Sequence, residues 1–250
     1  MKAKKHLGQH FLSDNLVLEQ IFEAVENNFD KSLPVLEVGP GGGVLTGFLH
    51  KTFPEFNAVE FDRDLIDGLR EQYGDDTIIQ HDFLSYDTKN VFEGRPFQLV
   101  GNFPYNISSQ IIFKMLEERS QIPVMVGMFQ KEVAERICAD PGSKKNGILS
   151  IRTQLFYKAD KLFDIPPEAF DPPPRVDSSV IVCRRKNDII DNLNHDFFNR
   201  IVKMSFGQRR KKMRNTLKGL IHTLEDPIFQ KRPEELSFED FVNISIKAQQ

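Results

Sequence analysis

Val35-Leu36-Glu37-Val38-Gly39-Pro40-Gly41-Gly42-Gly43 is an apolar strand that runs into a glycine-rich turn, and helical spacing of apolar positions begins at Val44. Glycines let a backbone come close to a ligand, and the N-terminus of the following helix turns free N–H groups towards it. Strand, tight turn and helix in this order form the opening unit of a parallel α/β sheet.

The pattern repeats on the C-terminal side. Strands are predicted near Val35–Val38, Asn57–Phe61, Thr77–Gln80, Phe97–Gly101 and Pro123–Phe129, with helices over Val44–Lys51, Asp64–Gln72 and Ser108–Glu118 between them and another short helix over Lys131–Ala139. That alternation predicts a doubly wound, mostly parallel sheet. Two more strands, Lys161–Ile165 and Val176–Arg185, flank a stiff link that contains Pro166, Pro167 and the run Pro172-Pro173-Pro174. Prolines lack the donors a central strand needs, so the link is expected to present residues at a sheet edge. After about residue 187 the apolar spacing is helical only. The expected division is therefore an α/β domain over residues 1–186 and a small helical domain over 187–250.

The chain has 250 residues, 40% of them hydrophobic and 28% charged, enough for one large α/β domain with a small appendage. No apolar run approaches the roughly 20 residues that span a bilayer, and no signal-type apolar region follows the basic N-terminus. A cytoplasmic protein with no membrane role is expected, acting as a monomer. Cys138 and Cys183 lack C-x-x-C spacing and the six histidines lack H-E-x-x-H spacing, so the expectation is buried thiols and no metal. The net charge of −3 conceals an uneven distribution: Phe197–Leu224 holds eight basic residues and no acidic one. Such a run is either a solvated helix face or a phosphate-binding patch.

The second strand ends at Glu60, about 20 residues beyond the glycine turn, where a carboxylate can accept from ribose hydroxyls. Asp82 follows the third strand at the same sheet edge and is placed to accept from an adenine amino group. NAD, FAD and S-adenosyl-L-methionine all carry adenosine. A pyrophosphate favours the spacing G-x-G-x-x-G, whereas the turn here reads G-P-G-G-G, which suits S-adenosylmethionine at least as well. Asn102-Phe103-Pro104-Tyr105 closes the fourth strand. An adenine N6 amine is a poor nucleophile because its lone pair is delocalised into the ring. The Asn102 side-chain oxygen and the Phe103 carbonyl, held outward because Pro104 restricts the residue before it, can take the two amine hydrogens and free that lone pair. Tyr105 is an expected stacking platform for the base, and Phe170 in the proline link an expected second wall.

Several blocks resemble the KsgA (RsmA) family of small-subunit ribosomal RNA adenine dimethyltransferases over nearly the whole length. They are Gly8-Gln9-His10-Phe11-Leu12, Glu37-Val38-Gly39-Pro40-Gly41, Val59-Glu60-Phe61-Asp62-Arg63-Asp64, Asn102-Phe103-Pro104-Tyr105, Phe129-Gln130-Lys131-Glu132-Val133-Ala134 and Pro173-Pro174-Arg175-Val176-Asp177-Ser178. The resemblance implies a Rossmann-like class I S-adenosylmethionine methyltransferase sheet with a small C-terminal helical domain. It implies a cofactor site of His10, Leu12, Gly39, Glu60, Asp82 and Asn102, and a catalytic site of Asn102, Phe103, Pro104, Tyr105 and Phe170. It also implies an RNA-contacting segment with Arg209, Arg210, Lys211, Lys212 and Arg214, and as partner the rRNA of an immature 30S particle. His10 stands where many members have asparagine, and Phe103 where leucine is usual. Rival readings are the related large-subunit rRNA methyltransferase of macrolide resistance, an RNA-binding assembly or transcription factor without catalysis, and a nicotinamide-dependent dehydrogenase. The Gly-Pro-Gly loop and basic C-terminal segment weigh against the first. The intact Gly39, Glu60, Asp82 and Asn102 weigh against the second, and the missing phosphate fingerprint against the third.

Overall fold

The computed structural model describes residue 4 and residues 8–187, 190, 193–221 and 224–249. In chain order the elements are β1 (Phe11–Leu12), α1 (Asn15–Asn28), β2 (Val35–Val38), α2 (Val44–Thr52), β3 (Phe56–Glu60), α3 (Arg63–Tyr73), β4 (Ile78–Gln80), β5 (Gln98–Asn102), α4 (Ser108–Glu117), β6 (Val124–Gln130) and α5 (Lys131–Ile137). These are followed by α6 (Ile148–Phe156), β7 (Tyr157–Ile165), β8 (Phe170–Asp171), β9 (Ser178–Arg185), α7 (His195–Gly207), α8 (Met213–Leu217) and α9 (Phe238–Lys247).

Seven strands form one sheet in the order β4-β3-β2-β5-β6-β9-β7. Strands β2 to β6 pair in parallel, and β9 joins β6 antiparallel, Gly127 opposite Ile181. The chain winds outward from β2 through β3 to β4, then returns to place β5 on the other side of β2. Ligands of open α/β sheets bind at such a switch point, outside the carboxyl ends of the strands. The last residue of β2 precedes Gly39, and the last residue of β5 is Asn102. Helix α1 is set by Asp14, whose Oδ1 accepts from the N–H groups of Leu16 and Val17 at 2.8 and 3.2 Å. Its buried face (Val17, Ile21, Val25) packs with Val35, Ala58, Val100 and Val126 of the sheet. The alternate strand residues Leu36, Val59, Leu99 and Met125 are also buried, as expected of a sheet covered on both faces.

The proline link supplies β8, which pairs antiparallel with β1, Leu12 opposite Phe170, in a separate two-stranded sheet. The link thus fastens the N-terminal arm.

The chain divides into two compact units, residues 1–134 with 159–185, and residues 135–158 with 186–250. The expected boundary at 187 lies one residue from the observed one, but residues 135–158, expected within the first domain, belong to the second unit. The reason is packing: Ile151 and Leu155 of α6 join the core of Phe198, Ile201, Met213, Leu217 and Phe241.

Candidate active site

His10, Leu12, Gly39, Glu60, Asp82, Asn102, Phe103, Pro104 and Tyr105 all line one cavity of about 230 Å³ at the switch point of the first unit. Gly39 and Gly41 have φ of 71° and 57°, the left-handed region that glycine adopts without strain. A Cβ on Gly41 would also stand 3.1 Å from the Phe11 ring, so a larger residue would push against the arm.

Glu60 is almost wholly buried at the end of β3. Its Oε1 accepts from the N–H groups of Phe61 and Asp62, both at 2.8 Å, and its Oε2 from Gly41 N–H at 3.1 Å. Burial raises its pKa, against the opposing effect of these bonds. A carboxylate offers about four acceptor positions, so these three bonds fix its orientation and leave one position for a ribose hydroxyl. Asp82 Oδ1 accepts from Leu84 N–H at 2.9 Å, and among the described residues its Oδ2 has no partner.

Glu37 also lines the cavity, a site residue that the sequence reading gave no role. It is 1% exposed, its Oε2 accepts from the Thr46 hydroxyl at 2.7 Å, and burial pushes its pKa up to about 8. The available signal was a lone carboxylate in an otherwise apolar strand that abuts the glycine turn.

Asn102 Nδ2 donates to the His10 carbonyl at 2.9 Å, which turns Oδ1 away from the arm. Among the described residues neither Asn102 Oδ1 nor the Phe103 carbonyl accepts a hydrogen bond, whereas the Pro104 carbonyl accepts from Ile107 N–H and the Ser108 hydroxyl, both at 3.2 Å. Two acceptors therefore stand side by side at the end of β5. The Phe103 ring faces the other way: it is fully buried against Phe129, ring centroids 5.0 Å apart, over the paired glycines Gly101 and Gly127. Phenylalanine in place of leucine is thus accommodated by two residues without side chains. The Tyr105 hydroxyl is hydrogen-bonded to the Ser178 hydroxyl at 2.5 Å, and burial raises the pKa of the phenol.

His10 does two things. Its carbonyl orients Asn102, and its ring lies stacked on Tyr105 at 5.3 Å with Nδ1 2.8 Å from the Pro172 carbonyl. The arm is also latched at Asp62: Lys4 Nζ lies 2.5 Å from Asp62 and 2.6 Å from Asp64, and Gln9 Nε2 donates to Asp62 at 2.8 Å. Burial works to raise the Asp62 pKa, but the bonds from Lys4 and Gln9 outweigh it and hold the carboxyl below its usual range.

Phe170, expected as the second wall, does not line the cavity. It is 3% exposed and packs in the core of the first unit with Val180 and Ile165, because the β1–β8 pairing turns its side chain inward. Arg210, Lys211, Lys212 and Arg214 are exposed in the second unit, anchored by the buried Met213 between them. Among the described residues Arg210, Lys211 and Arg214 form no ion pair. Arg209 differs from them: half-buried, it donates to the Lys144 carbonyl and has Nε 3.8 Å from Glu234. Its charge is partly spent within the protein. Among the described residues no helix is long and apolar enough to cross a membrane.

The family model for ribosomal RNA adenine dimethylase matches residues 1–246. Among curated proteins, the ribosomal RNA small subunit methyltransferase A of Bacteroides thetaiotaomicron is 47% identical, over 98% of this chain and 93% of its own. That of Flavobacterium johnsoniae is 46% identical, over 99% and 96%. Among solved structures, a dimethyladenosine transferase from Plasmodium falciparum superposes with a TM-score of 0.80 at 24% identity, covering 95% of this chain and 97% of its own. The 23S rRNA methyltransferase ErmE gives 0.71 at 24%, covering 96% and 100%. The last two show the class I methyltransferase fold of the sheet, and the match along almost the full length shows the family: the chain belongs to the ribosomal RNA adenine dimethylases.

Proposed function

We propose that the protein dimethylates the N6 amines of two adjacent adenosines in the 3′-terminal hairpin of small-subunit (16S) rRNA, acting as a monomer in the cytoplasm on an immature 30S particle. The carrying observation is the pair of unengaged acceptors, Asn102 Oδ1 and the Phe103 carbonyl, beside Tyr105. The cofactor is S-adenosyl-L-methionine, which when bound supplies an electrophilic methyl group on a sulfonium. The residues present fit it: the glycine turn admits close approach, Glu60 keeps one open acceptor position for the ribose, and Asp82 Oδ2 is available to an adenine amine.

The chain's own groups then do three things. Asn102 and Phe103 accept the two amine hydrogens, which draws the nitrogen towards a pyramidal form with its lone pair exposed. Tyr105, its phenol held further from ionisation by burial, supplies the ring that the base stacks upon. No strong base is required, because the methylated nitrogen carries a positive charge and loses its proton readily. In the second transfer one hydrogen remains, and one of the two acceptors suffices to orient it. Arg210, Lys211, Lys212 and Arg214 neutralise backbone phosphates, with Arg209 acting in part as the brace of that segment.

Methylation assays on immature small subunits and on naked large-subunit rRNA test the reading. Activity on the former, lost in Asn102→Ala while RNA still binds, is expected. Activity only on the latter would overturn it.

A further inference from the structure

The Tyr105 ring, on which the target base is expected to stack, already carries a heterocycle on one face. The His10 ring lies on Tyr105 with centroids 5.3 Å apart and planes 27° from parallel. Its Nδ1 lies 2.8 Å from the carbonyl of Pro172, which belongs to the proline link that carries Phe170. A carbonyl only accepts, so Nδ1 carries the proton and donates. The imidazole is thus a flat, nitrogen-bearing ring, stacked on one side and tied at one edge, between Tyr105 and the link. Adenine in a base pocket needs the same two features.

We propose that His10 is a built-in stand-in for the target base, filling the stacking place on Tyr105 until the adenine displaces it. The proposal rests on the reading that the base stacks on Tyr105. Displacement breaks one ring stack and one hydrogen bond, while the His10 carbonyl can keep its bond to Asn102 because that contact is through the backbone. The sequence resemblance implied a cofactor contact for His10. The geometry assigns its ring to the base side of the site and its backbone to orienting Asn102.

The consequence is selectivity. A stack and a neutral hydrogen bond together shift an equilibrium by about tenfold, so the open state makes up on the order of one tenth of the enzyme. A loose adenosine meets a place mostly taken. An adenosine delivered by rRNA docked elsewhere on the protein brings the binding energy that displaces the ring.

The test uses the full chain and a small-subunit 3′-terminal hairpin with fluorescent 2-aminopurine at one target position. Wild type, His10→Ala and Tyr105→Ala are compared for the fluorescence change on binding, with calorimetry of S-adenosylmethionine on each to report an intact fold. In His10→Ala the base signal is expected at about tenfold lower protein concentration, methylation of free adenosine is expected to rise, and cofactor affinity is expected to hold within about twofold. An unchanged or weakened base signal in His10→Ala, with the signal lost in Tyr105→Ala, would overturn the stand-in and leave the stacking role of Tyr105 intact. Cofactor affinity about tenfold weaker in His10→Ala with an unchanged base signal would return the ring to the cofactor. A full base signal in Tyr105→Ala would instead remove the reading on which the proposal rests.

Discussion

Gly127→Ala probes whether the catalytic carbonyl is placed by what lies beneath it. Gly127 and Gly101 face each other across β5 and β6, and the Phe103 ring lies over both. A Cβ on Gly127 would stand 2.2 Å from Phe103 Cε2 and 2.9 Å from both Phe103 Cδ2 and Phe129 Cε2. To regain van der Waals contact the Phe103 ring must retreat by about 1 Å from a fully buried position. Overpacking of this kind costs about 1–3 kcal/mol of stability, a fall in Tm of several degrees. The larger effect falls on chemistry, because the displaced ring carries the Phe103 carbonyl and its neighbour Asn102. A misplacement of about 1 Å lowers the rate by up to ~100-fold. Single-turnover methyl transfer to saturating small subunits reads that rate, and calorimetry with S-adenosylmethionine reads the cofactor site separately. The expected result is a rate loss of ten- to a hundredfold at nearly unchanged cofactor affinity, with Phe103→Leu in the Gly127→Ala background restoring most of it. A wild-type rate in Gly127→Ala, or no rescue by the smaller side chain, would refute the idea that ring packing sets the carbonyl.

Glu37 keeps its proton to about pH 8 in the folded chain and ionises near 4.5 as an ordinary carboxyl. Its contribution to stability is therefore full below about pH 4.5 and is lost as pH rises through about 8. Urea unfolding at pH 5 and pH 9 should show Glu37→Gln gaining on the wild type at the higher pH, by a few kcal/mol at most; equal slopes with pH would speak against a buried neutral acid. Tyr105→Ala removes a base platform worth about 1–3 kcal/mol and should lower kcat/KM ten- to a hundredfold, while Tyr105→Phe, which loses only the bond to Ser178, should cost less than tenfold. Reversing Arg210 and Lys211 to Glu should weaken rRNA binding and flatten its dependence on salt, measured by filter binding across salt concentrations. A salt slope equal to that of the wild type would exclude phosphate contact by these two residues.

The alternation of apolar runs made the parallel sheet legible because strands buried on both faces read as continuous apolar segments, and Val35–Val38 matches to the residue. Helix α1 lies outside the predicted elements, although Asp14 at its cap and Val17, Leu18, Ile21, Ala24 and Val25 along its buried face carry a helical signal. Helix α6 was harder: it runs into β7 without a break at Phe156, so no turn residue marks where one period gives way to the other. The strand-end residues Gly39, Glu60, Asp82 and Asn102 were legible because each stands at or within two residues of the end of an apolar strand and the topology gathers such ends at one edge. The partners that orient them were not. The His10 carbonyl on Asn102, Lys4 on Asp62 and the glycine pair under Phe103 are contacts between distant parts of the chain, which spacing does not reveal. Phe170 shows the opposite error, since its rigid neighbours suggested a pocket wall while pairing of β8 with β1 places the ring in the core.

The most direct test of the central claim is mass-spectrometric mapping of methylated adenines in rRNA from cells lacking this protein, complemented with the wild type or with Asn102→Ala. The account predicts that N6,N6-dimethyladenosine disappears from two adjacent positions in the 3′-terminal hairpin of small-subunit rRNA, returns with the wild type, and stays absent with Asn102→Ala. Unchanged methylation at those positions in the cells lacking the protein, or its restoration by Asn102→Ala, would contradict it.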